Sequence, residues 1–183
     1  MNKPDITIHP LNQPSADIEY LDALLTLVKR AEHDKASPYM YPNGAAFYTG
    51  NLQGNTLNVA ALDGDRMVGY AALRPMNPWP EYLDPTDLPP EHCALMLLNV
   101  VDPTYRGLGI GKRLAKARIE MAREAGFHHL FVTVHPENLS SMAVLEHFGF
   151  RLVTQKPMFS NQLLRNLMQL DLDTAPATHS THP

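Results

Sequence analysis

Cysteine is all but missing: Cys93 stands alone among 183 residues. No intrachain disulfide can form, and no thiolate metal cluster can be built, which suits a reducing compartment. Basic residues are not in excess either. Fifteen Lys and Arg face nineteen Asp and Glu, for a formal charge of -4. A nucleic-acid partner is therefore not expected, because phosphate neutralisation by Lys and Arg dominates such affinities. Long apolar runs are also lacking. Nothing approaches the roughly 18 apolar residues of a membrane span, and the first ten residues, MNKPDITIHP, have no apolar signal core. A cytoplasmic protein without a membrane partner is the expectation. The chain is 44% hydrophobic, which supports one sizeable core. One domain over residues 1–173 is expected, followed by a disordered tail over 174–183 that carries no large apolar side chain.

Patterning then sets out the elements. Residues 6–9 suit a short strand. A helix is expected over 16–33, with Ile18, Leu21, Leu24, Leu25 and Val28 on one face. Residues 37–52 mix turn formers with aromatics and suit a short helix between loops. Strands over 56–62 and 66–73 flank Asp63-Gly64, a hairpin signal. Residues 74–92 hold six prolines and cannot continue a sheet. CALMLLNVV, residues 93–101, reads as a strand buried on both faces. Ile110, Leu114, Ala117, Met121 and Ala125 then repeat at helical spacing with Lys and Arg opposite, and Gly126 supplies the stop. A strand over 129–135, a short helix over 140–148 closed by Gly149, a strand starting at Phe150 and a last one over 167–172 complete the chain. This order implies an α/β sandwich around a mixed sheet, with the strand–helix–strand piece parallel and right-handed.

Between the buried strand and its helix lies DPTYRGLGIGKRL, residues 102–114. Alternating glycines admit positive φ and close ligand approach, and amides at a helix start attract phosphate. A Walker loop fails here: Arg113 follows Gly111-Lys112 where a hydroxyl is needed, and Arg106 replaces the first glycine. A dinucleotide fingerprint fails as well, since Lys112 occupies the third glycine position and no acidic residue ends the next strand. What does match, over Arg106-Gly107-Leu108-Gly109-Ile110-Gly111, is [QR]-x-x-G-x-[GA]. It resembles the acyl-CoA loop of the GNAT superfamily of N-acyltransferases. Downstream, ENLSSMAVLEHFGF resembles a second element of that superfamily, through Asn138, Glu146, Gly149 and Phe150. Together the two elements span residues 97–150.

The resemblance implies a largely antiparallel mixed sheet with a central parallel strand pair and helices on both faces. It implies acetyl-CoA or another acyl-CoA as cosubstrate and no metal. The diphosphate would lie across the amides of residues 106–111, with Lys112, Arg113 and Lys116 near the phosphates. The pantetheine arm would run beside Asn99, Val100 and Val101, where an N–H near Val100 or Val101 polarises the thioester carbonyl. Asn138 would contact that arm from the other side, though such a residue also suits a helix cap. The superfamily's usual tyrosine acid is replaced by Leu145 and a glutamate base by Thr133. Ser141 is a weak substitute acid. A free thiol has a pKa of roughly 8.5, so expelling CoA as thiolate at neutral pH costs only about 2 kcal/mol.

The acceptor implied is a primary amine of a small molecule or peptide. Residues 37–52 and 74–92 offer Tyr39, Tyr41, Phe47, Tyr48, Trp79 and Tyr82, with Glu81, Asp84, Asp87 and Glu91 among them. Aromatics with carboxylates suit an amine with an apolar body; alternatively the aromatics pin the loops or fill a homodimer contact. Glu81, Glu91 and His92 are weak candidates for a base. Cys93 reads as a buried hydrophobe, and His128, His129 and His135 lack zinc-ligand spacing. The rival to an N-acyltransferase is a non-catalytic acyl-CoA sensor, favoured by Leu145 and Thr133. Gly109→Val should obstruct the phosphate path and weaken acyl-CoA binding sharply in calorimetry. An unchanged dissociation constant contradicts the loop assignment.

Overall fold

The computed structural model describes residues 4–34, 39–84 and 86–173; the tail expected over 174–183 lies outside them. A seven-stranded sheet runs in the order β1-β2-β3-β4-β5-β7-β6. Its strands are β1 (Ile6–Leu11), β2 (Leu57–Asp63), β3 (Arg66–Pro75), β4 (Cys93–Val101), β5 (His129–Val134), β6 (Arg151–Met158) and β7 (Leu163–Asp171). Every pairing is antiparallel except β4 with β5. The helices are α1 (Pro14–Asp17), α2 (Leu21–Glu32), α3 (Ala45–Gln53), α4 (Ile110–Glu124) and α5 (Leu139–His147).

Period-two alternation explains the layering. Ala60, Tyr70 and Ala72 face α2 and α3, packing against Leu24, Leu27, Val28, Tyr48 and Leu52. Their neighbours Val59, Ala61 and Ala71 face the other way, onto Ile110 and Leu114 of α4. Small residues let α4 come close. A Cβ added to Gly69 would meet Ile110, Ala61 and Leu114 side-chain atoms at 3.0–3.1 Å. Further along the sheet, Ala94, Met96 and Leu130 pack under α4 and α5. On the opposite face Cys93, Leu95, Phe131 and Leu167 are covered by Met76, Trp79, Tyr82 and Leu83 of the proline-rich segment.

Three expectations need correcting. The helix expected over 16–33 is broken: α1 passes through a 3₁₀ turn at Ile18–Tyr20 into α2, and Leu24, Leu27, Val28 and Ala31 are its buried residues. The final strand is longer and begins at Leu163, paired with β6 across a turn in which Phe159 and Gln162 take positive φ. The buried face of α4 is also rotated. It comprises Ile110, Leu114, Ala115, Arg118, Ile119 and Ala122, while Ala125 is exposed. An arginine thus sits in a stripe where the sequence suggests only apolar side chains.

β4 carries the main irregularity. Ala71 pairs with Asn99 but Ala72 pairs with Leu97, so Leu98 is an extra residue, a β-bulge. Before it Cys93 and Leu95 face the proline-rich segment; after it Val100 faces α2. The phase change turns Asn99 and Val101 towards α4, where Asn99 Nδ2 donates to the Gly111 carbonyl at 3.3 Å.

Directly after β4, Asp102 is 1% exposed and accepts from Arg66 at 2.8 Å and Arg30 at 3.1 Å. It also caps the next turn, accepting from the Thr104 backbone N–H at 3.0 Å and hydroxyl at 2.7 Å. Burial pushes its pKa up, but these donors outweigh burial and hold the carboxyl down at about 2. Its stabilisation is therefore complete above about pH 4, the range of a free carboxyl, and fades as pH falls through about 2. Asp102→Ala should cost about 2–3 kcal/mol in urea unfolding at pH 7, the worth of a charge-assisted hydrogen bond plus a cap. The gap from wild type should close towards pH 2.

Candidate active site

β4 and β5 pair only from Cys93–His129 to Met96–Val132. Beyond that β5 stays with β7, through Thr133 and Val134, while residues 97–101 keep only β3. The parting strands leave a wedge, and from it a cleft of about 360 Å³ extends towards α2 and the 39–47 segment. One wall is β4 from Leu95 to Val101; the other comprises Val132, Thr133, Val134, Asn138, Ser141 and Leu145.

At the mouth, Gly107 and Gly109 have φ of +77° and +74°, a left-handed conformation that side chains resist. Their turn delivers the chain into α4 with Gly109 as its N-cap. The amides of Gly107, Gly109, Ile110, Gly111 and Lys112 donate to no protein acceptor among the described residues. Arg113 is the first to close a helical bond, to the Gly109 carbonyl at 3.1 Å. A row of free N–H groups at the positive end of a 15-residue helix is suited to an anion of diphosphate size. Leu108 is exposed beside them. Arg106 reaches back to pair with Asp34, Arg113 donates to the Ile6 carbonyl at 2.8 Å, and Lys116 pairs with Glu120 at 3.2 Å. Of the basic residues around the loop, Lys112 alone has no protein partner among those described.

Asn138 is the cap of α5. Its Oδ1 accepts from the Ser141 backbone at 3.3 Å and the Ser140 hydroxyl at 3.1 Å, and its Nδ2 remains available as a donor to the cleft. Ser141 lines the cleft with its hydroxyl unbonded. Leu145 and Thr133 line it too, so both positions where the superfamily places proton carriers meet the cavity without one.

The inner end differs from the sequence expectation. Tyr39, Tyr41, Phe47 and Tyr82 are there, joined by Phe159. Tyr48, on the inward face of α3, is instead buried in the core, where burial pushes its phenol up to about 12, and Trp79 packs edge-on against Phe131. None of Glu81, Asp84, Asp87 and Glu91 reaches the cleft; all are exposed, and Asp84 pairs with Lys156. The charges lining the cavity are arginines: Arg74, Arg106, Arg118 and Arg165. Arg165 is 7% exposed, donates to the Tyr39 carbonyl at 2.9 Å and lies over the Phe159 ring, and its Nε has no partner. Burial lowers its pKa. Burial and then the Arg74 charge act on Tyr82, with a net rise. Nothing in the sequence marked Arg118 or Arg165: the first falls on what reads as a solvated helix face, the second in the unassigned stretch before the strand expected over 167–172.

Other candidates lie elsewhere. Cys93 is buried with its thiol pushed up to about 11 by burial. His128 and His129 bond Asp173 and Asp171, and His135 stacks on Tyr39. Among the described residues no three or more His, Cys, Asp or Glu are grouped to hold a metal, and no helix is long and apolar enough to cross a membrane.

A sheet split beside a glycine loop that feeds a helix start makes a site suited to an extended, anionic ligand. The profile of the Acetyltransferase (GNAT) family matches residues 21–150, and the chain belongs to that family. It is an acyltransferase. An L-methionine sulfoximine/L-methionine sulfone acetyltransferase of Pseudomonas aeruginosa is 29% identical over 133 residues, 70% of this chain and 72% of that one. The ribosomal-protein-S18-alanine N-acetyltransferase of Escherichia coli superposes with a TM-score of 0.67 at 21% identity, covering 94% and 97% of the two chains. A Salmonella typhimurium protein whose structure holds acetyl-CoA superposes with the same TM-score at 20% identity, covering 96% and 98%.

Proposed function

We propose that this enzyme moves an acetyl group from acetyl-CoA to the α-amine of a free amino acid by direct attack. The donor half rests on the free amides at residues 107 and 109–112, the two left-handed glycines and the unpaired edge of β4. The diphosphate takes the loop amides and the Lys112 charge. The pantetheine arm lies along residues 99–101 with Asn138 Nδ2 opposite, and an N–H near Val100 or Val101 meets the thioester oxygen.

The acceptor half rests on one observation above all: Arg165, nine-tenths buried and lining the cleft, has no carboxylate partner among the described residues. A buried guanidinium left without an anion suits a ligand that brings one. Arg74 at the same end adds a second positive charge, and Tyr39, Tyr41, Phe47 and Phe159 surround an apolar side chain. With no Asp or Glu lining the cavity among the described residues, nothing there favours the ammonium form of the acceptor, and the arginines disfavour it. That keeps the nitrogen nucleophilic without a dedicated base. The Pseudomonas relative, named for amino-acid derivatives, supports the same class of acceptor.

Thiol release from acetyl-CoA should be steady with free amino acids carrying medium-sized apolar side chains, and slower by ~10- to 100-fold with their carboxamides, the range for losing one charged hydrogen bond. Arg165→Gln should raise KM for the amino acid by a similar factor while leaving acetyl-CoA binding intact. Equal turnover of acids and amides contradicts the carboxylate site. Binding of acetyl-CoA without turnover on any amine would favour a sensor.

A further inference from the structure

Arg118 is the least expected residue of the cleft. It is 2% exposed in the middle of the buried face of α4. Its Nη1 donates to the carbonyls of Leu97 at 2.6 Å and Leu98 at 3.0 Å, with Ala72 at 3.4 Å. Those three carbonyls frame the bulge, where the ladder between β3 and β4 is interrupted. Its Nε is buried without a partner, Nη2 has no protein acceptor, and no described carboxylate pairs with it, although the side chain reaches the cleft wall. Burial pushes its pKa down to about 9, so it keeps its proton at neutral pH.

A neutral amide could satisfy bulge carbonyls. A full charge carries a desolvation penalty that nothing in the surrounding protein offsets with an anion. An uncompensated charge beside a reaction channel acts on charge that develops during the reaction. Two such charges arise here. As the amine lone pair attacks the thioester carbon, the C=O π electrons move to oxygen. As the C–S bond then breaks, its electron pair leaves on sulfur, and the ammonium proton passes to water. Among the described residues no Asp, Glu, Lys, His or Cys lines the cleft; its hydroxyls are those of Ser141, Thr133, Tyr39, Tyr41 and Tyr82, and Leu145 stands at the acid's position.

We propose that Arg118 is the positioning residue of this transfer: it fixes the bulge of β4 and supplies the unbalanced positive charge that steadies oxyanion and thiolate. Because a trans peptide directs its N–H opposite its C=O, holding the Leu97 and Leu98 carbonyls towards α4 aims the Leu98 and Asn99 N–H groups away from it. The same grip sets the phase of Asn99, Val100 and Val101 along the channel. The inference rests on the acetyl-CoA reading, though not on the identity of the acceptor.

The test compares wild type, Arg118→Met and Arg118→Lys by three readouts: isotope-edited infrared of bound carbonyl-¹³C acetyl-CoA without acceptor, amide hydrogen exchange of the ligand-free protein, and steady-state kinetics. In wild type the bound carbonyl stretch should fall below its value in buffer. Arg118→Met should return it towards that value, speed exchange at residues 97–100, and lower kcat by ~50-fold with KM for acetyl-CoA within ~3-fold, a loss typical of one oxyanion-stabilising group. Arg118→Lys, which keeps the charge without the fork, should fall between the two. If either variant is folded yet keeps wild-type stretch and a kcat within about twofold, a filler role has won and the proposal fails. A variant that loses the carbonyl shift while wild type acetylates no amino acid overturns the acceptor reading and supports this one. Failure of wild type to bind acetyl-CoA overturns both.

Discussion

The parting of β4 from β5 after four paired residues is the constraint on which the rest depends. A parallel pair would normally continue, each strand satisfying the other's amides. Here β5 is kept by β7 while β4 bends with β3, and the bulge at Leu98 marks where the two paths separate. The unpaired edge of residues 97–101, the turn into α4 and the cleft between the strands all follow from that separation. Asp102, locked to Arg30, Arg66 and Thr104, pins the chain where β4 ends. The glycine turn therefore starts from a fixed point, and its free amides are preorganised before any ligand arrives.

Charge distribution makes the cleft chemically distinct from the rest of a mildly acidic chain. The carboxylates of the proline-rich segment stay in solvent, and arginines line the cavity. Such a cavity attracts phosphate and carboxylate, repels ammonium and favours a departing thiolate. These are one electrostatic effect seen at three points along the channel. It also explains how a family member can lack the usual proton carriers at positions 133 and 145: a thiolate leaving group needs stabilisation more than it needs a proton.

How much of this the sequence disclosed depends on what kind of physics was involved. The hairpin, the parallel strand–helix–strand piece and the glycine loop were legible because periodicity, turn chemistry and a local motif are written in neighbouring residues; the order of strands across the sheet was not. The cap role of Asn138 was legible for the same reason. The bulge was not, because residues 93–98 are uniformly apolar and show no alternation whose phase could be seen to change; only Asn99, exposed in the structure, departs from the run. Arg118 and Arg165 were hidden by composition: an arginine usually faces water, and only tertiary contact turns these two inward. The aromatic segments were half legible. Tyr39, Tyr41, Phe47 and Tyr82 reach the cleft, while Tyr48 and Trp79 went to the core and to Phe131. Their carboxylate neighbours stayed outside.

The central claim is that preorganised main-chain amides at the split of the sheet grip the acyl-CoA. An amide-resolved NMR titration with acetyl-CoA addresses it most directly. The account predicts that the largest saturable shifts fall on the backbone amides of residues 107–112 and 97–101. Shifts confined to other surfaces, with those two stretches unmoved at saturation, would contradict it.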